Sequence, residues 1–257
     1  MNEAYVDSLV PRLRLGLSLW VAGMLGVVAI TLSLLPLIPT FAAGKPLPMP
    51  MWALTLVSLG QSAVFLGLAV WAGVALAPAL GLRAPAFAAA VAKHPVAPAL
   101  RPQLLPGLIA GLLGGAFLTV AWRTAPAVLV PVQERFSIPI SARVLYGGIT
   151  EELLLRWGFM TLLVWLAWTF VQRRRGAPAP GLIWLAIVVS AVVFGAGHLP
   201  AASFLAGPLE ANTVAWVVGV NAVFGVLFGY LFWKRGLESA MIAHALTHAV
   251  HYVAGLF

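Results

Sequence analysis

Seven apolar runs of about 20 residues or more, the length a helix needs to cross a bilayer, occupy most of this 257-residue chain. They span approximately 15–38, 51–79, 104–129, 143–171, 181–199, 212–233 and 238–256. An unpaired backbone N–H or C=O is costly in hydrocarbon, so only helices or a closed barrel can cross it. The runs are continuously apolar and lack the alternation of barrel strands. An all-α, polytopic transmembrane helix bundle is therefore expected, forming one domain over residues 1–257. Composition agrees: 62% of residues are hydrophobic and 9% charged, and mean hydropathy is +1.01. A soluble domain carries roughly a quarter charged residues. The first run begins near Leu15 without a small-residue cleavage signal soon after it, so it reads as a retained helix and not a removed signal peptide.

The formal net charge is +8 and the pI about 10.9. Nucleic acid is not the expected partner, because the basic residues cluster at the ends of the apolar runs, where membrane proteins place topology signals. With the N-terminus cytoplasmic, Arg12, Arg14, Arg83, Lys93, Arg101, Arg173, Arg174, Arg175, Lys234 and Arg235 fall inside. Lys45, Arg123, Arg135 and Arg143 fall outside, so the asymmetry follows the positive-inside rule. Seven helices are expected, or eight if the mixed-polarity stretch 128–142 adds a re-entrant or interfacial one. Gly107, Gly111 and Gly115, and likewise Gly225 and Gly229, form every-fourth-residue stripes that let helices pack closely. Trp20, Trp52 and Trp233, near run ends, read as interface anchors. Cysteine is absent, which excludes disulfides, thiolate ligands and a cysteine nucleophile.

Inside the runs lie Glu151, Glu152, Arg156, His198, His244, His248 and His251. A charge at a helix centre costs about 2.5–3.5 kcal/mol to insert, so these groups should face the bundle interior and have partners. Glu152 and Arg156 stand four apart in the favourable order for an ion pair. Glu151 points about 100° away from Glu152 on an α-helix. It is free to face a polar cavity as a general base; the bland alternative is a structural pair with a snorkelling neighbour. His244, His248 and His251 recur at i, i+4 and i+7 on one face. His-x-x-x-His is the spacing of helical zinc sites. Where the soluble zinc-protease motif places a glutamate, this chain has Ala245, so a base must come from another helix, and Glu151 is the candidate.

Three motifs in order, Glu151-Glu152-x-x-x-Arg156, Phe194-x-x-x-His198 and His244-x-x-x-His248, resemble those of the CAAX protease and bacteriocin-processing (CPBP) family of membrane endopeptidases. The resemblance covers about 143–251 and identifies that stretch as the catalytic core. It implies hydrolysis of peptide bonds in membrane-associated or prenylated substrates, in a bacterial plasma membrane. Glu151 and His198 would activate water, while His244 and the residue four positions on stabilise the oxyanion. That residue is His248 here, where the family more often has asparagine. An imidazole can bind metal as well as donate, so His198, His244 and His248 are candidate ligands of a divalent ion such as zinc.

Other protease chemistries fit less well. Asp7 is the only aspartate, Gly60-Gln61-Ser62-Ala63 is a poor serine elbow, and His-Glu-x-x-His is absent. Outside proteolysis, the same residues are open to a non-catalytic immunity or interaction protein, a haem protein, or a proton relay. Substrate identity and oligomeric state do not follow from the sequence. Alternating topology also sets Glu151 and His198 in the outer half of the membrane and His244 in the inner half, although one site needs all three.

Overall fold

The computed structural model describes residues 11–38, 49–131 and 138–256. Asp7, Lys45, Arg135 and residues 132–137 of the stretch expected to add an eighth helix lie outside them. The described elements are α1 (Arg12–Leu34), α2 (Met51–Leu80), α3 (Pro85–Val91), α4 (Val96–Ala121), α5 (Ile140–Val171), α6 (Pro180–Gly197), α7 (Leu199–Ala206), α8 (Ala211–Arg235) and α9 (Leu237–Ala254). No strand occurs among the described residues. Proline marks the beginnings: Pro50, Pro95 and Pro139 precede first turns, and Pro85 and Pro180 stand within them. There the missing N–H is one that the helix could not have used.

Six helices are long and apolar enough to cross a membrane: Arg12–Leu37, Met51–Leu80, Val96–Thr124, Ile140–Val171, Pro180–Ala206 and Ala211–Arg235. The chain is an integral membrane protein. The seventh expected span forms α9, but Glu238 and three histidines make it the most polar of the long helices. Nine of its 18 residues are buried, so protein rather than lipid surrounds much of it. The outer faces of the other helices are apolar and open: Leu13, Trp52, Leu113, Leu185 and Phe170 are among the side chains exposed there. Such a surface is tolerable only in lipid.

Glycines set how the helices meet. A Cβ on Gly111 would lie 2.6 Å from Leu246 Cβ and 2.9 Å from the Ala243 carbonyl, and one on Gly107 would lie 3.0 Å from Ile242 Cβ. Gly115 faces Val250 in the same way, so the α4 stripe is the groove in which α9 lies, running parallel to it. On α8, Gly225 fits Ala191 and Gly229 fits Ile187, which seats α6 antiparallel. Trp20 also joins two helices. Its Nε1 donates to the Ala63 carbonyl at 3.0 Å, closing α1 against α2. Trp233 keeps an interfacial surrounding, with Lys234 Nζ 3.5 Å from its ring centroid.

The start of α9 is held by polar contacts that the sequence does not announce. Glu238 is 5% exposed, and its Oε1 accepts from the N–H groups of Ala86 at 2.7 Å and Phe87 at 2.9 Å. The carboxylate of one helix thus caps the N-terminus of another, where orphan donors and the helix dipole favour negative charge. Gln103 Oε1 accepts from Ser239 N at 3.2 Å, and Leu237 N donates to the Arg83 carbonyl at 2.9 Å. Gly236 makes the turn from α8 with φ 121, open only to glycine. These pairings leave the beginnings of α1, α4, α6 and α9 and the ends of α2, α5 and α8 at one end of the bundle. The ten basic residues expected inside therefore share that end.

Substituting Gly111 by valine should lower stability by about 1–3 kcal/mol, the usual range for overpacking. Gly60→Ala, with nothing within 4 Å, should change it little. Thermal denaturation in detergent checks both. Equal midpoints would mean that α4 and α9 do not meet at the stripe.

Candidate active site

Helix α5 brings two carboxylates to one place through an unusual backbone. Its hydrogen bonding is π-type over Arg143–Glu151 and again over Leu153–Met160. Thr161, for example, donates its N–H to the carbonyl of Arg156, five residues back, and its hydroxyl donates to the same oxygen at 3.1 Å. Such i→i+5 turns are rare and gather at functional sites. Each turn is wider than the 3.6 residues of an α-helix, so neighbouring side chains diverge by less than 100°. Glu151 and Glu152 were expected to face apart. In the structure they stand at opposite nitrogens of the His244 ring, Glu151 nearest Nε2 and Glu152 at Nδ1.

Glu152 Oε1 lies 2.8 Å from His244 Nδ1 and 3.2 Å from Arg156 Nη1. Glu152 is fully buried, Arg156 is 1% exposed and His244 is 4% exposed. The i,i+4 ion pair read from the sequence is therefore formed, with no water-accessible face. Arg156 Nη2 donates to the Gly225 carbonyl at 3.3 Å. Its guanidinium carbon stands 4.7 Å from the centre of the Phe194 ring and 5.5 Å from that of Phe228, so aromatic faces share the charge. Phe228 also stacks on His244 with 4.6 Å between ring centroids. With the carboxylate accepting at Nδ1, His244 holds its proton there and presents a bare Nε2.

That Nε2 faces two groups. His248 Nε2 is 3.2 Å away, and Glu151 Oε2 is 3.7 Å away. Glu151 is the open member of the pair: its side chain is 17% exposed, against 0% for Glu152. A Cβ on Gly147 would lie 2.7 Å from His248 Nε2, and one on Gly148 would lie 2.7 Å from Ala245 Cβ. The Gly147-Gly148 pair thus lets α5 approach the histidine face of α9. The sequence held this signal, two glycines directly before two carboxylates, but nothing in it said which helix they would admit.

His198 ends α6. Its Nδ1 contacts the Phe194 carbonyl at 2.8 Å, and this is its hydrogen bond among the described residues. The Phe194 ring stands between the two histidines, 4.8 Å from the His198 ring and 5.9 Å from the His244 ring. His251 departs from the other histidines of its face. It meets Thr119 Oγ1 at 3.2 Å and stacks on Trp122, a satisfied structural residue.

The separation expected between outer and inner residues is not found. Only Gly236 separates α8 from α9, whose start is seated on α3, and His244 lies beside Phe228 and Glu152. The π turns add to this, since a helix with more residues per turn advances less per residue. For a metal ion, the two facing Nε2 atoms of His244 and His248 have the spacing of two ligands on one centre. However, no three His, Cys, Asp or Glu side chains among the described residues are grouped to hold an ion. His198 in particular is turned to its own helix, so the residues do not complete the expected set.

Residues 134–250 match the family model described as type II CAAX prenyl endopeptidase, Rce1-like. Over these residues the chain is similar to the CPBP family of intramembrane endopeptidases. The match encloses Glu151, Glu152, Arg156, His198, His244 and His248. No curated protein and no solved structure matches the chain.

Removing Arg156 leaves Glu152 buried without its counter-charge, a change that typically costs about 3–5 kcal/mol. Arg156→Met should show that loss in unfolding by SDS titration. A loss below about 1 kcal/mol would mean that the carboxyl needs no counter-charge.

Proposed function

We propose that the protein is a CAAX-type endopeptidase that hydrolyses peptide bonds of membrane-associated or prenylated proteins with Glu151 as the general base. The observation carrying the proposal is the 3.7 Å separation of Glu151 Oε2 and His244 Nε2, too long for a direct hydrogen bond and close enough for one water to bond to both. A water held there directs its two protons at Glu151 and His244 and its free lone pair at a substrate carbonyl. Glu151 takes one proton as the oxygen attacks. Glu152 and Arg156 act through His244: they set its tautomer and angle, as the outer carboxylate does for a catalytic imidazole. In the resting site the N–H of His248 points to His244 Nε2 at 3.2 Å; the bound water takes its place there, and the freed N–H meets the oxyanion that develops on the carbonyl oxygen. Glu151 returns that proton to the leaving amine as the C–N bond breaks, and His198, its Nδ1–H held on the Phe194 carbonyl, would turn its free Nε2 to the proton once substrate is bound.

Two facing nitrogens, of His244 and His248, are fewer than the three protein ligands of a catalytic zinc site. The site lies within the span of the membrane helices, so a substrate must present its scissile bond from the bilayer or its surface. Orientation with the basic end cytoplasmic follows from charge alone.

Two measurements bear on this. Glu151→Gln should lower cleavage of a prenylated or membrane-spanning peptide by about 10²–10⁴-fold, the range for a lost general base, with the thermal midpoint unchanged. Full activity in the variant would remove Glu151 from the role. For orientation, single cysteines at the exposed positions Pro200 and Ala177 should react with a membrane-impermeant maleimide from opposite sides. Ala177 should be labelled only after the vesicles are opened.

A further inference from the structure

The turn between α5 and α6 carries three consecutive arginines that the chemistry of the site does not use. Arg173, Arg174 and Arg175 are all exposed. Two of them hold left-handed backbone, Arg173 at φ 54 and Arg174 at φ 56. Side chains rarely adopt that conformation, and two in succession persist only when their surroundings impose it. The surroundings here are specific. Gln172 Nε2 donates to the carbonyls of Arg175 at 2.6 Å and Ala177 at 2.7 Å, and its Oε1 accepts from Ala179 N at 2.8 Å. Trp168 Nε1 donates to the Gly176 carbonyl at 2.9 Å. Arg174 is bound back to its own helix, with Nε 3.3 Å from Thr169 Oγ1 and its guanidinium carbon 5.6 Å from the Trp165 ring. One turn of chain is thus fixed so that Arg173 and Arg175 extend from it.

What these two arginines face follows from the neighbouring side chains. Phe170 is 70% exposed and Val171 72% exposed immediately before the turn, and Trp184 is 41% exposed on the first turns of α6. Trp184 stacks with Tyr230 at 5.8 Å and meets Trp233 edge-on at 6.1 Å. Lys234 lies over the Trp233 ring at 3.5 Å. An aromatic belt with basic residues on its outer side is the composition of the bilayer–water boundary. Between residues 153 and 237 the chain has a single acidic residue, Glu210, and it begins α8 at the opposite end of the bundle. No carboxylate of these helices competes for the arginines.

We infer that the α5–α6 turn is a docking surface for anionic phospholipid headgroups of the surrounding bilayer, with Arg173 and Arg175 binding the phosphate and Phe170, Val171 and Trp184 lying along the acyl chains. Guanidinium suits this role because its planar fork pairs two donors with a phosphate. The lipid source is favoured over a free anion because the arginines directly follow exposed apolar side chains, Phe170 and Val171, in the chain. A free phosphate would have no use for those.

The test uses the full chain extracted from mixed phosphatidylcholine and phosphatidylglycerol bilayers, with retained lipids counted by native mass spectrometry. Phosphatidylglycerol should be enriched on the wild type. Arg173→Gln/Arg175→Gln should lower that enrichment by about thirtyfold, as expected for two basic residues at an anionic surface. Arg12→Gln/Arg14→Gln removes the same charge from the same end of the bundle and should change the enrichment little. Absence of enrichment on the wild type overturns the inference whatever the variants do. Equal losses in the two double variants would reduce it to diffuse surface charge. Displacement of the lipid by inorganic phosphate would assign the turn to a free anion instead.

Discussion

A carboxylate and a guanidinium with no access to water dominate the arrangement of this bundle. In a protein whose solvent is lipid, Glu152 and Arg156 cannot relax toward an aqueous surface, so the helices must supply all their partners. His244, the Gly225 carbonyl and the faces of Phe194 and Phe228 supply most of them, while Glu152 Oε2 and Arg156 Nε are left without a hydrogen bond among the described residues. These partners come from α9, α8 and α6, and each approaches through a small residue. Gly147 and Gly148 admit α9, and Gly225 admits Ala191 of α6. The glycine stripes and the charged site are thus one constraint: close backbone contact is what brings short side chains within hydrogen-bond range.

Burial divides the site into a held part and a reacting part. Glu152, Arg156 and His244 are enclosed and mutually paired. Glu151 is partly open, and its nearest polar partner lies beyond hydrogen-bond distance. A group already satisfied by protein has little left to offer a substrate. A group with an unfilled approach keeps its lone pairs for one. The same logic separates the histidines, with His251 committed to Thr119 and Trp122 and His244 still presenting one nitrogen.

The polar anchoring of α9 serves the same end at a distance. Glu238 on the first turn of α3, with Gln103 against Ser239, fixes where α9 begins, and so fixes the height of His244, seven residues further on. A helix carrying three histidines has weak reason to settle at a given depth in lipid. Hydrogen bonds at its start supply that reason.

Much of this was legible in the chain. The apolar runs named the helices because lipid permits few other solutions. The i,i+4 spacing of Glu152 and Arg156 named their ion pair, since a local pair needs only a helix. The motif order marked the residues that would gather. Other features were not legible because they depend on contacts distant in sequence or on backbone that propensity does not encode. The π turns that turn both carboxylates to one imidazole are of this kind. So are the role of Trp20 as a clasp between helices, the separation of His251 from its neighbours, and the turning of His198 to its own helix. The buried ionisable residues and their need for partners were determined by sequence alone, through the cost of charge in hydrocarbon. Which partner each one found was decided by the tertiary structure, because only the close approach of α4, α5, α8 and α9 sets the distances on which hydrogen bonds depend.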